Sequence, residues 1–198
     1  MSRLIESICL NDGVFHRLPY HQMRMDKSVC EILHQQNEIQ LEDFLYAQTY
    51  PTQGLFKCRI IYDNRIHSIE FIPYKTKPVS SLKIIRADSI DYAHKFEDRS
   101  ALHQLYQLRE DCDDILIVKN GFLADSYYSN VILYDGADWF TPSTPLLNGT
   151  MRQALLKDGK IKEATIHLSD IRLFKKLKLI NAMLGLDGPE LSISQIVF

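Results

Sequence analysis

A hydrophilic segment, Lys75–Ser81, divides the sequence into two parts with different secondary-structure patterns. It contains Pro78 and few apolar residues, which is typical of a linker between compact units. Two hairpin patterns precede the linker, and helical and strand patterns alternate after it. The sequence therefore predicts an α/β (α+β) fold with two lobes, a small N-terminal lobe at residues 1–76 and a larger lobe at residues 77–198.

The first lobe is predicted to contain two hairpins and an amphipathic helix. Asn11-Asp12-Gly13 can close a hairpin after the strand Leu4–Leu10, because Asn, Asp and Gly accept positive φ. Pro19 suits the first turn of a helix, and apolar residues recur at helical spacing after it. Phe56–Tyr62 and Arg65–Pro73 form the second hairpin pattern.

The second lobe is predicted to alternate helices and strands. The pattern indicates a helix at Asp98–Glu110 and a buried strand at Ile115–Val118. Further on, it indicates a short strand at Thr165–Leu168 and a helix that is capped by Asp170 and ends near Lys176. A final strand is predicted at Leu191–Val197.

The composition excludes several classes of function. A net charge of -2 without single-sign charge runs gives no electrostatic basis for binding nucleic acid. No apolar run resembles a signal peptide or a membrane span. The four cysteines are isolated and form no CxxC pair, which indicates reduced, mostly buried thiols. We therefore expect a cytoplasmic protein that contacts neither membrane nor nucleic acid, and we predict no metal site.

Lys95 stands between His94 and Phe96, just before the predicted helix of the second lobe. A lysine becomes a covalent catalyst when its surroundings keep the amine neutral and direct it at a carbonyl. Pyridoxal phosphate enzymes use such a lysine. In isolation, a lysine at this position is more commonly a solvated side chain. Lys95 is informative only together with the stretch Asp114–Leu156.

Three further features could belong to a cofactor site. Asn148–Arg152 is a small-residue turn that opens a helix, where backbone N–H groups favour an anion such as phosphate. Asp125 stands in an otherwise apolar strand and needs a cationic partner, either a protonated pyridine nitrogen or a nearby arginine. His21 and Arg24 lie one helical turn apart, and Arg24 is either a phosphate clamp or a surface arginine.

Together these residues resemble the class IV aminotransferases, the family that includes branched-chain and D-amino acid aminotransferases and aminodeoxychorismate lyase. The most specific part is Asp125-Ser-Tyr-Tyr-Ser-Asn130, followed by Phe140-Thr-Pro142. Leu147-Asn-Gly-Thr-Met-Arg-Gln153 is particularly similar to aminodeoxychorismate lyases. Leu18-Pro-Tyr-His21-Gln-Met-Arg24 resembles the phosphate segment of the family. The resemblance implies the two-lobed pyridoxal-5'-phosphate-dependent fold of D-amino acid aminotransferase.

The resemblance also implies a role for each matched residue. Lys95 would be the Schiff-base lysine and the proton shuttle, and Arg24 would bind the cofactor phosphate. Thr150 and Met151 would offer backbone N–H groups to that phosphate. Asp125 would hold the pyridine nitrogen, where a carboxylate keeps the ring protonated and strengthens it as an electron sink.

Three functions follow from this resemblance. The leading one is the conversion of 4-amino-4-deoxychorismate to 4-aminobenzoate and pyruvate, for folate synthesis. The second is an aminotransferase acting on a small branched-chain or D-amino acid. The third is a non-catalytic pyridoxal-phosphate-binding protein, because family members usually carry a further segment before the Leu4 strand. The family also usually has Glu where this chain has Asp125, a change that keeps the charge.

The site for the substrate carboxylate should distinguish the lyase from the aminotransferase. Arg59 is the candidate for binding this carboxylate, with Arg86 as the second choice. Either arginine could instead be a surface partner of Asp or Glu. By resemblance we also expect an amino-acid-type small-molecule substrate and a homodimer.

Overall fold

The chain forms two compact units in the computed structural model, which describes residues 3–198. The first unit extends to Lys75 and also contains the segment His94–Asp98. The second unit contains Thr76–Ala93 and Arg99–Phe198. The chain therefore leaves the second unit and returns to it around the segment that contains Lys95.

The first unit consists of a four-stranded antiparallel sheet and two helices. The order of the strands in the sheet is β2-β1-β3-β4. Asp12 and Gly13 turn the first hairpin with φ of 47° and 80°, as the turn chemistry predicts. The elements are β1 (Leu4–Asn11), β2 (Val14–Phe15), α1 (Leu18–Leu33), α2 (Leu41–Tyr46), β3 (Leu55–Tyr62) and β4 (Ile66–Pro73).

One face of β1 supplies much of the core of the first unit. Leu4, Ile8 and Leu10 alternate along the strand and are fully buried in a cluster that includes Met25 of α1. Glu6 has the same strand parity and is also fully buried. A charged residue therefore occupies a position in an otherwise apolar stripe.

The second unit contains two sheets that share a hydrophobic cluster. Its elements are β5 (Leu82–Arg86), α3 (Ser100–Gln107), β6 (Asp114–Lys119), β7 (Phe122–Leu123), β8 (Asn130–Tyr134), β9 (Trp139–Pro142), α4 (Thr150–Lys157), β10 (Lys162–Ala164), β11 (Lys176–Ile180), β12 (Glu190–Ser192) and β13 (Ile196–Val197). The strand orders are β13-β5-β6-β7 and β10-β9-β8-β11-β12. Both sheets contribute to the cluster, which includes Leu82, Leu116, Val118, Val131, Leu133 and Leu177.

The expected mixture of helices and sheets is confirmed. Within residues 3–198, no helix combines the length and the apolar character that crossing a membrane requires.

The strand predicted at Thr165–Leu168 is wrong. The strand of this region, β10, ends at Ala164, and a 3₁₀ helix follows at Leu168–Leu173. His167 caps this helix, because its Nδ1 accepts the N–H of Ser169 at 3.2 Å. Asp170 therefore lies inside the first turn of the helix rather than at its cap.

The final strand, predicted at Leu191–Val197, is interrupted by a 3₁₀ helix at Ile193–Gln195. Ser192 Oγ accepts the N–H of Ser194, and Gln195 Oε1 accepts the N–H of Ser192 at 2.7 Å. This capping box outweighs the strand preference of the apolar residues.

Candidate active site

The backbone of Lys95 is bonded to the edge of β1 within the first unit. Ile5 donates its N–H to the Lys95 carbonyl at 2.9 Å, and Leu4 pairs with Phe96 in an antiparallel bridge. Lys95 is also the central residue of a γ-turn, because Phe96 donates its N–H to the His94 carbonyl at 3.0 Å. The half-buried lysine therefore sits on a fixed main chain, although it lies between regular elements.

The neighbours of Lys95 attach the segment to helix α1 and to the core. His94 Nδ1 lies 3.2 Å from Ser28 Oγ, and His94 Nε2 lies 3.2 Å from Glu31 Oε2. Phe96, on the other side of Lys95, packs against the hydrophobic core of the first unit. Two polar contacts of His94 and the apolar packing of Phe96 thus anchor the two residues that flank the lysine.

Glu6 joins the two residues of the predicted phosphate segment. Arg24 donates from Nε to Glu6 Oε1 at 2.9 Å and from Nη2 to Glu6 Oε2 at 2.5 Å. His21 Nδ1 lies 2.5 Å from the same Oε2. The side chains of Glu6 and His21 are 0% exposed, and that of Arg24 is 9% exposed.

The electrostatics of this triad favour an ionised Glu6. Burial alone would raise the pKa of the Glu6 carboxyl, but the charges of Arg24 and His21 and the hydrogen bonds from both residues lower it to about 2. Burial lowers the pKa of His21, and Glu6 opposes that shift. We therefore interpret Glu6 at neutral pH as a carboxylate that is bound to the Arg24 guanidinium and to the His21 ring.

Arg59, the predicted substrate residue, is engaged in two ion pairs. Its Nη1 lies 3.6 Å from Glu70 Oε2, and its Nη2 lies 3.6 Å from Glu97 Oε1. This arrangement matches the alternative interpretation of Arg59 as a partner of acidic residues. Arg86 is the exposed last residue of β5 in the second unit. The substrate role of Arg59 stays a prediction.

Asp125 lies at the start of a tight turn in the second unit. Its carbonyl accepts the N–H of Ile117 of β6 at 2.8 Å, and it pairs with Asn130 in an isolated bridge. Ser126 donates its N–H to the Ser129 carbonyl at 2.8 Å and closes the turn between them. The turn interrupts the apolar strand that the sequence predicts around Asp125.

The carboxylate of Asp125 is almost completely enclosed. Its Oδ1 accepts from Asn130 Nδ2 at 2.7 Å, its Oδ2 accepts from the Leu147 N–H at 3.0 Å, and the residue is 6% exposed. Burial raises the pKa of the Asp125 carboxyl to about 6, although the hydrogen bonds from Leu147 and Asn130 oppose the rise.

No lysine, arginine or histidine among residues 3–198 forms an ion pair with Asp125. Arg152 is near enough for its charge to lower the pKa of the Asp125 carboxyl, but its ion pair is with Glu163 and not with Asp125. A buried carboxylate without an ion-pair partner is costly, and a cationic ligand group would offset that cost. The protonated nitrogen of a pyridine ring fits this requirement.

Asn130 connects Asp125 to the start of helix α4. Besides its bond to Asp125, its Nδ2 donates to the Leu147 carbonyl at 2.8 Å. A Cβ atom placed on Gly149, the N-cap of α4, would lie only 2.1 Å from Asn130 Oδ1. Glycine is therefore required here because Asn130 approaches so closely. Its backbone conformation does not require glycine, since any residue can adopt a φ of −65°.

We predict that Gly149→Ala destabilises the second unit by about 2–3 kcal/mol, because the added methyl group displaces Asn130. Gly159→Ala is the control: a Cβ there meets nothing within 4 Å, so only its positive φ of 66° is penalised, at about 1 kcal/mol. Thermal unfolding measures both effects. Equal destabilisation by the two substitutions would contradict the steric argument.

Thr150 and Met151 lie at the start of α4, and both are buried. The first N–H groups of an α-helix have no acceptor within the helix, so this turn has the donors that an anion needs. Arg152 has a different task, since its buried guanidinium holds the surrounding loop through four partners: Thr141 Oγ1 at 3.3 Å, Asn148 Oδ1 at 3.0 Å, the Pro142 carbonyl at 2.8 Å and the Glu163 carboxylate.

Glu6 is the residue of this region that the sequence reasoning missed. The available signal was its place in the alternation of Leu4, Ile8 and Leu10, where a carboxylate interrupts an apolar face. Its partners lie 15 and 18 residues away on α1, so only the packing of the helix identifies them.

The family model for class IV amino-transferases matches residues 65–187. This chain belongs to the class IV aminotransferase family. Enzymes of this family depend on pyridoxal phosphate. The predicted resemblance is thereby confirmed at the level of the family.

Individual relatives extend the similarity to nearly the whole chain. A protein of Haemophilus influenzae Rd, described as uncharacterized, is 36% identical over 189 residues, which are 94% of this chain and 100% of the relative. A solved structure from Haemophilus somnus 129PT, described as a candidate 4-amino-4-deoxychorismate lyase, is 33% identical with a TM-score of 0.88, over 94% of this chain and 98% of that chain.

The pyridoxal-phosphate-bound form of a hypothetical aminotransferase from Mycobacterium tuberculosis has a TM-score of 0.77. It is 17% identical, and the match covers 98% of this chain and 81% of that chain. At this identity the comparison shows a shared fold.

Proposed function

We propose that this class IV family member is a pyridoxal phosphate enzyme that converts 4-amino-4-deoxychorismate to 4-aminobenzoate and pyruvate. The observation that carries cofactor binding is the enclosed Asp125 carboxylate, which is hydrogen-bonded but has no ion pair among residues 3–198. The choice of reaction is supported by 33% identity to the candidate lyase of H. somnus over nearly its full length.

Five residues would hold the cofactor. Lys95 would bind it through Nζ, and Asp125 would bind its pyridine nitrogen. Arg24 would bind its phosphate, as would the backbone N–H groups of Thr150 and Met151. When bound, pyridoxal phosphate supplies a reactive carbonyl carbon and an electron sink.

The chain's own residues then have defined tasks in the reaction. Lys95 Nζ takes the proton from the α-carbon of the substrate as a general base. The hydrogen bond from the Ile5 N–H to the Lys95 carbonyl fixes the main chain that carries this amine. The ionised Asp125 keeps the pyridine nitrogen protonated. Loss of pyruvate is favoured because the remaining ring becomes aromatic.

Product analysis tests this proposal. Purified protein supplied with pyridoxal phosphate and 4-amino-4-deoxychorismate should release pyruvate and 4-aminobenzoate without any amino acceptor. Transfer of an amino group to 2-oxoglutarate would instead support an aminotransferase. Cofactor binding without either reaction would support a non-catalytic binding protein.

Cofactor attachment and assembly are tested separately. Borohydride reduction followed by peptide mass mapping should place the cofactor on Lys95. We also propose a homodimer, which a sedimentation measurement would detect as twice the mass of the 23.0 kDa chain.

A further inference from the structure

Glu6 is a buried charged residue that the reaction itself does not use. Its side chain is 0% exposed, in a strand whose neighbouring inward positions, Leu4 and Ile8, are apolar. An uncompensated carboxylate in such a place would cost several kcal/mol. The bonds of Glu6 to Arg24 and His21 offset this cost.

The Glu6 carboxylate accepts two hydrogen bonds from one edge of the Arg24 guanidinium. The bonds from Nε at 2.9 Å and Nη2 at 2.5 Å form a two-point fork, which uses two of the five N–H groups and fixes the plane of the guanidinium. The fork to Glu6 engages Nε and Nη2 and does not involve Nη1. An anion that binds this guanidinium would meet a group whose plane is already fixed.

His21 fixes Glu6 in turn. Its Nδ1 lies 2.5 Å from Glu6 Oε2, and it stands one helical turn before Arg24 on α1. Ile5, the residue before Glu6, donates its N–H to the Lys95 carbonyl. Two adjacent residues of β1 therefore hold the predicted phosphate-binding arginine and the predicted catalytic lysine.

We propose that Glu6 is a positioning residue that holds Arg24 in the orientation for binding the phosphate group of the cofactor. This inference rests on the proposed function, because it takes Arg24 as a phosphate ligand. Glu6 acts only through Arg24, so its contribution concerns the phosphate and not the pyridoxal ring.

Glu6→Gln tests the inference. An amide presents one acceptor and one donor to the arginine, so the two-point fork is lost while the volume is kept. We expect the Kd for pyridoxal 5'-phosphate to rise roughly 10-fold or more, as is typical when a supporting residue is lost. The Kd for pyridoxal, which lacks the phosphate, should change less than 2-fold. Both constants come from titrations of the visible absorbance.

Two comparisons separate positioning from general stability. Asp63→Asn removes another buried carboxylate of the first unit, which pairs with His67 at 2.8 Å, and should leave both affinities unchanged. In an Arg24→Ala background, Glu6→Gln should cause no additional loss of phosphate-dependent affinity. If Glu6→Gln does not fold, Arg24→Lys replaces it, because lysine keeps the charge but cannot form the fork.

The outcomes distinguish this inference from the proposed function. Equal weakening of pyridoxal 5'-phosphate and pyridoxal, or additive effects in the Arg24→Ala background, would overturn the positioning role alone. A wild-type protein that binds neither compound would overturn both the inference and the proposed function.

Discussion

Lys95→Ala should lower the rate of pyruvate release by roughly 10³-fold or more, because the proton shuttle and the covalent attachment point are removed together. Borohydride should then fix no cofactor on the protein. The fold should survive, since main-chain hydrogen bonds and the side chains of His94 and Phe96 also anchor this segment.

Lys57→Ala is the matched control for this substitution. Lys57 is a half-buried lysine of β3 in the same unit and has no predicted role in the reaction. It should keep normal turnover and normal labelling. Retention of covalent cofactor by the Lys95→Ala protein, on a different lysine, would show that the assignment of the amine is wrong.

Asp125→Asn should lower turnover by roughly 10²-fold or more, because an amide cannot keep the pyridine nitrogen protonated. Asp114→Asn is a close control in the same unit. Burial raises the pKa of Asp114, like that of Asp125, to about 6. Both substitutions remove a buried carboxylate, but only the change at position 125 should alter the absorbance of the bound cofactor. Equal losses of turnover in the two variants would contradict the role of Asp125.

The pKa of Asp125 also predicts how cofactor affinity depends on pH. Below about pH 6 the free carboxyl is protonated and loses its attraction for a pyridinium, so affinity should fall as the pH drops through 6. In the free protein the sign for folding is opposite: a raised carboxyl pKa means that stability declines as the pH rises from about 4 to 6. A titration of Kd against pH checks the first effect, and Asp125→Asn should flatten that titration.

Local chemistry predicted most of the secondary structure. The Asn11–Gly13 turn, the helix after Pro19 and the second hairpin all follow from patterns within a few residues, and the structure contains each of them. The predictions failed at Thr165–Leu168 and Leu191–Val197, where apolar composition favours a strand. In both places a side-chain cap, from His167 or from Ser192, stabilises a 3₁₀ helix instead.

The candidate site divides in the same way. The segments Asp125–Asn130 and Leu147–Gln153 can be recognised from the sequence, because the matching residues of each segment lie within a few positions of one another. The partnership of Glu6 with His21 and Arg24 depends on helix packing, and the bridge between Leu4 and Phe96 joins distant parts of the chain. No local pattern encodes either of these contacts.

The return of His94–Asp98 to the first unit has a consequence for dissecting the protein. The polypeptide passes between the units three times, so a single cut near Lys75 leaves the N-terminal fragment without the strip that borders β1. A split version of the gene would express two pieces that must reassociate by fragment complementation. The C-terminal fragment would carry Lys95, and its segment His94–Asp98 would have to bind to the N-terminal fragment.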